Sequence, residues 1–119
     1  MSICRYVDMF RRVIDGAADD SVELASTEEI ERLCETFGAL ADPTRLRILT
    51  ALLCGERCVN ELAETLGISQ SAASHQLKLL RALRLVKHRR VGRKVCYSLD
   101  DEHIVHLIRV CTEHVRERR

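Results

Sequence analysis

Residues 59–99 read VNELAETLGISQSAASHQLKLLRALRLVKHRRVGRKVCYSL, and the order of patterns in this stretch decides the fold. Val59, Leu62, Ala63 and Leu66 recur at helical spacing, and the pattern stops at Gly67. "GIS" is a tight turn, after which helical spacing resumes over 70–84 with Ala73, Leu77 and Leu80 on the inner side. Two short helices joined by a three- or four-residue turn containing glycine form a helix-turn-helix. The second helix of such a motif enters the major groove, with its first turns facing base edges. Gln70, Ser71, Ser74, His75 and Lys78 populate the polar side of that helix. The small Ser71, Ala72 and Ser74 allow close approach, and Gln70 and His75 are the polar readers.

From Val86 the period changes. Val86, Val95, Tyr97 and Leu99 are strand-like, and Gly92 lies between two basic runs, so a two-stranded hairpin with its tip at "RVGR" is expected. Such a wing sets Arg89, Arg90, Arg93 and Lys94 against phosphate or into a minor groove. Contacts of that kind fix affinity and register but carry no sequence code. Helix-turn-helix followed by basic hairpin is a winged helix, mainly α with a small β hairpin.

The charge distribution agrees. The chain carries a formal +1, yet residues 1–42 hold four Arg against ten acids. Residues 69–95 hold Lys78, Arg81, Arg84, Lys87, Arg89, Arg90, Arg93 and Lys94 with no acid. A generic three-helix domain shares the spacing, but this block is the electrostatic footprint of a polyanion partner.

Upstream, Ser26 and Glu29 fit a capping box, and Ile30, Leu33, Cys34, Phe37 and Leu40 follow at helical spacing. Asp42 caps a further helix with Pro43 at its first position and an apolar stripe of Leu46, Leu49, Leu52 and Leu53. Residues 1–25 read as a tail or short helix, and 26–119 as one DNA-binding and dimerisation domain. Downstream, Ile104, Leu107, Ile108, Cys111 and Val115 form a stripe with no obvious partner in so small a domain. Pairing with a second copy across a two-fold axis would bury it, so a homodimer is expected. No run approaches 18 apolar residues and no secretory core opens the chain, which implies a cytoplasmic protein without a membrane partner. The six Cys then read as free thiols or metal ligands, with Cys34, Cys54, Cys96 and Cys111 as buried thiols. No set of groups suggests acid–base catalysis, so an enzyme is not expected.

With these residues in place, 59–99 closely resembles the DNA-recognition region of the ArsR/SmtB family of metal-sensing bacterial repressors. The motifs are "SxxSHQLKLLRxxxLV" and "RxGRxxxYxL", and "ALADPTRLRIL" resembles the family's opening helix. The resemblance runs from about Phe37 to about Arg118. It implies a homodimeric winged-helix repressor on double-stranded operator DNA, which blocks RNA polymerase only by occluding the promoter and is released by metal.

The resemblance also implies a metal site on the closing helix, where Asp101, His103, His114 and Glu117 match the family's ligand positions. Within one helix, 11 residues rise about 16 Å, so the two pairs cannot share an ion in one protomer. Antiparallel pairing of two copies would bring Asp101 and His103 of one chain to His114 and Glu117 of the other. Two nitrogens and two oxygens suit tetrahedral zinc, with cadmium, lead or cobalt as alternatives. His106 matches no ligand position and reads as a solvent-facing residue. A secondary site, also by resemblance, would join Cys4 and Asp8 to Cys58 and Glu61. Asn60 stands where cadmium- and lead-preferring relatives carry a second Cys, which argues against that preference. The alternative function is a thiol- or arsenite-sensing repressor of the same fold.

Overall fold

The computed structural model describes residues 25–117. The elements run α1 (Thr27–Leu40), α2 (Pro43–Leu52), β1 (Arg57–Cys58), α3 (Val59–Leu66), α4 (Gln70–Ala82), β2 (Val86–Val91), β3 (Lys94–Leu99) and α5 (Glu102–Glu117). The chain divides between Arg32 and Leu33 into two units, of which the second carries the winged helix.

Local chemistry sets each helix start. The Ser26 N–H donates to Glu29 Oε1 at 2.9 Å and the Glu29 N–H to Ser26 Oγ at 3.1 Å, the reciprocal capping box expected at α1. Asp42 accepts from the Arg45 N–H at 3.0 Å, with Pro43 opening α2. Ser69 accepts from the Ala72 N–H at 3.0 Å and so starts α4.

Two helix ends share one device. Gly67 has φ 67°, and the Ile68 N–H reaches back to the Ala63 carbonyl at 3.0 Å. Arg84 has φ 58°, and the Leu85 N–H reaches the Leu80 carbonyl at 3.0 Å. Both are Schellman terminations, in which a left-handed residue lets orphan carbonyls find donors. The first makes the turn between α3 and α4. The second ends α4 two residues earlier than its apolar spacing suggests and sends the chain into β2.

One apolar cluster holds the second unit together. It gathers Ile48, Leu49 and Leu52 from α2, Leu62 from α3, Leu77 and Leu80 from α4, and Leu85, Val86, Tyr97, Leu99 and Ile108. Ile48 replaces Leu46 in the expected α2 stripe, and Leu46 is 40% exposed. Of the expected α5 stripe, Ile104 and Ile108 pack on this core, joined by Val105, whereas Leu107 is half-buried, Cys111 is exposed and Val115 is 68% exposed. On α1, Leu40 packs on this core, whereas Ile30, Leu33 and Phe37 are near half exposure.

The wing differs from the expected two-stranded hairpin. β1 adds to it, giving an antiparallel sheet in the order β1-β3-β2. Val91 pairs with Lys94 across a two-residue turn in which Gly92, at φ 64°, takes the first position, as a type II′ hairpin requires. The β1–β3 register sets Cys58 opposite Cys96, and the two form a disulfide. The reading of all six Cys as free thiols or ligands is therefore corrected for this pair. The reason is tertiary, since 38 residues separate them in sequence. Cys34, Cys54 and Cys111 are free but exposed, against the expectation of burial.

No atom lies within 4 Å of where a Cβ on Gly67 would stand, so substitution there meets only the backbone cost. Gly67→Ala should destabilise by about 1 kcal/mol, and Arg84→Gly should stabilise by about 1 kcal/mol or less. Urea unfolding of the two variants reads both signs.

Candidate nucleic-acid interface and metal centre

Helix α4 is oriented by its buried face. Ala73, Leu77 and Leu80 are wholly buried, which turns Gln70, Ser71, His75 and Lys78 to solvent with Ser74 half-buried beside them. The five expected reading residues thus lie along one open side of one helix. A link the sequence did not suggest steadies it: Arg45 Nε on α2 donates to Gln76 Oε1 on α4 at 3.0 Å. No local pattern could have signalled a contact between residues 31 apart.

The wing presents Arg90, Arg93 and Lys94 as exposed cations around its tip. Arg89 is different. Its Nε donates to Glu56 Oε2 at 2.7 Å and its Nη2 to Glu56 Oε1 at 2.8 Å, a bidentate pair. The carboxylate lowers the Glu56 pKa chiefly by accepting these hydrogen bonds, and it raises that of Arg89. Glu56 went unnoticed in the sequence because it matters only once β1, two residues long, is seen to join the wing. On the neighbouring pair of the ladder, the His88 and Tyr97 rings stand 5.5 Å apart, tilted at 41°.

On α5, Asp101 Oδ1 accepts the Ile104 N–H at 3.2 Å and so caps the helix, and it also stands 3.5 Å from His103 Nδ1. Eleven residues make three turns plus about 20°, so His103 and His114 share a face, and Glu117 lies within about 60° of His114. His103, His114 and Glu117 are all exposed on that face. The two pairs do not meet within one chain, and among the described residues no three His, Cys, Asp or Glu side chains converge on a point. The donor set still fits a four-coordinate zinc if a second chain supplies half of it. His106 is only half-buried rather than solvent-facing, with Nε2 3.4 Å from Glu102 Oε2.

The secondary set fares differently. Cys4 and Asp8 lie outside the described residues. Cys58 is buried and bonded to Cys96, so it is not a free thiolate, and Glu61 Oε1 accepts the Cys58 N–H at 3.3 Å at the start of α3. In this structure both residues serve the fold.

A helix-turn-helix with a basic three-stranded wing defines a winged-helix DNA-binding protein. Residues 42–88 match the model of the bacterial regulatory proteins of the arsR family. A transcriptional repressor SmtB homolog of Synechocystis sp. is 50% identical over 95 residues, covering 80% of this chain and 72% of that protein. A cadmium resistance transcriptional regulatory protein CadC homolog of Staphylococcus aureus is 43% identical over 86 residues, covering 71% of each. The solution structure of apo-NmtR superposes with a TM-score of 0.69 at 39% identity, covering 83% of each chain. The chain belongs to the arsR family of bacterial regulatory proteins. It is a DNA-binding transcriptional regulator and not an enzyme. Among the described residues, no helix is long and apolar enough to cross a membrane.

The Glu56 carboxyl should titrate below the ordinary carboxylate range, because Arg89 stabilises its ionised form. A depressed native pKa means that the pair supports the fold above the unfolded-state pKa and is lost as pH falls through the native one. NMR titration should show the depression in the native chain and its disappearance in Arg89→Gln.

Proposed function

We propose that the protein is a metal-responsive transcriptional repressor that holds operator DNA as a homodimer and is released when zinc or cadmium binds. The observation that carries this reading is the pairing of two surfaces in one chain. The open side of α4 continues into an acid-free basic wing, and α5 carries His103, His114 and Glu117 on one exposed face beside the Asp101 cap. The relatives named for SmtB-type repression and cadmium resistance support the response to metal.

The operator is held by Gln70, Ser71, Ser74 and His75 at base edges, and by Lys78, Arg90, Arg93 and Lys94 at phosphates. RNA polymerase is affected only by promoter occlusion, and the protein works in the cytoplasm. Exposed Leu33 and Phe37 on α1, with Val115 on α5, would form the dimer contact. A solution structure of a homodimeric winged helix-turn-helix DNA-binding domain from Mycobacterium bovis, at 27% identity and a TM-score of 0.75, supports that assembly. Asp101 and His103 of one protomer with His114 and Glu117 of the other would hold the metal. When bound, zinc would supply a cross-link between the two α5 helices through these nitrogen and oxygen ligands. The residues do the rest: they tie the spacing of the two α4 helices to that of the two α5 helices. Half-sites about 34 Å apart are engaged only when the spacing matches. A metal that favours a mismatched dimer lowers operator affinity, and a coupling of about 1–3 kcal/mol corresponds to roughly 5–150-fold.

A second reading rests on the juxtaposition of Cys58 and Cys96, which gives a thiol-sensing repressor two partnered sulfurs. Operator affinity with and without zinc, at fixed ionic strength, separates the two. His114→Ala should keep dimerisation and operator binding but lose most of the zinc response, whereas Cys58→Ser with Cys96→Ser should retain it. The reverse result assigns the sensor to the thiols.

Base reading and phosphate binding should also separate. Gln70→Ala or Ser74→Ala should reduce preference for operator over random duplex. Arg90→Ala with Arg93→Ala should weaken both duplexes alike and flatten the salt dependence. Equal loss on operator and random duplex for the first pair would contradict the assignment of α4.

A further inference from the structure

The basic block from 69 to 95 contains no acid of its own, so any counter-ion for the wing must come from elsewhere in the chain. Glu56 is that counter-ion, and it serves one wing cation. In the sheet, Arg89 pairs with Cys96 and Cys96 pairs with Cys58, so these three residues form one row across β2, β3 and β1. Glu56 precedes Cys58 by two residues, and Arg89 reaches along the row to meet it with both hydrogen bonds of a guanidinium fork. A carboxylate matches that fork as a phosphate does, so an arginine held this way has its recognition edge occupied. Among the described residues, no acid is in ion-pair range of Arg90, Arg93 or Lys94. Arg89 on one side, and Arg90, Arg93 and Lys94 on the other, therefore fall into two classes that sequence alone treats as one.

We propose that Glu56 is an intramolecular counter-ion that withholds Arg89 from the DNA backbone, so that Arg89 positions the wing while Arg90, Arg93 and Lys94 meet phosphate. The proposal rests on the DNA-binding role and is independent of which metal, if any, releases the operator. Its consequence is a set limit on sequence-independent affinity. Each phosphate neutralised adds about 0.9 to the slope of log affinity against log salt. A dimer that frees two arginines would therefore bind every duplex more tightly and with a steeper slope. Withholding them leaves discrimination to α4.

The test is the salt dependence of random-duplex binding by the full chain and by Glu56→Gln, Arg89→Gln, the double variant and Arg93→Gln. Glu56→Gln should raise affinity several-fold at low salt and steepen the slope by about 1.8 for the dimer. Arg89→Gln should leave the slope unchanged, any loss of affinity at constant slope being the wing-positioning contribution, while Arg93→Gln should flatten it. In the double variant most of the gain from Glu56→Gln should vanish. A slope flattened equally by Arg89→Gln and Arg93→Gln would overturn the proposal, as would a gain from Glu56→Gln that persists without Arg89. If the Arg89 variants do not fold, Glu56→Gln alone decides: a steeper slope supports the proposal and an unchanged one overturns it. Failure of the unaltered chain to bind duplex at all would instead remove the DNA-binding reading itself.

Discussion

A helix cannot fold back on itself, and that constraint organises this protein. The α5 helix is continuous from Glu102 to Glu117, so the proposed ligand pairs, Asp101 with His103 and His114 with Glu117, are held about 16 Å apart by the rise of the backbone. Whatever they do together needs two chains. The same helix buries Ile108 and packs Ile104 and Val105 on the domain core, which fixes its rotation and leaves His103, His114 and Glu117 on an outer face. Under the proposed metal role, rotation and rise divide these four side chains into two half-sites. The α1 face, with Ile30, Leu33 and Phe37 uncovered, supplies apolar surface of the kind that homodimers bury.

The DNA-facing side is organised by turns rather than by length. Gly67 and Arg84 end successive helices with the same left-handed geometry, and between them α4 is aimed by three wholly buried residues. Only one of those turns has glycine, so the second carries a backbone cost that the structure tolerates next to the interface. Past that point the wing is stiffened by β1, by the Cys58–Cys96 bond and by the Glu56–Arg89 pair, all in one region.

Much of this was legible in the sequence, for identifiable reasons. Helices α3 and α4 show a strong apolar period with Gly67 between them, and the capping residues Ser26 and Asp42 carry their own local signal. What escaped was set by tertiary pairing. A two-residue strand has no period, so β1 was invisible, and with it the partners of Cys58, Cys96 and Arg89. Leu46 and Ile48 both satisfy an approximate helical stripe, and only the direction from which α2 meets the core selects Ile48. Asp101 was legible as a ligand type but not as a cap, since one carboxylate can serve both roles.

If metal binds as proposed, each site draws its ligands from two protomers, and mixing complementary variants shows whether it does. One variant carries Asp101→Ala and His103→Ala, the other His114→Ala and Glu117→Ala. Neither homodimer should hold zinc tightly. Mixed and re-equilibrated, they should form heterodimers with one complete site each, and zinc measured after gel filtration should return at one ion per heterodimer. No recovery on mixing, or tight zinc in either homodimer alone, would contradict a site shared across the dimer.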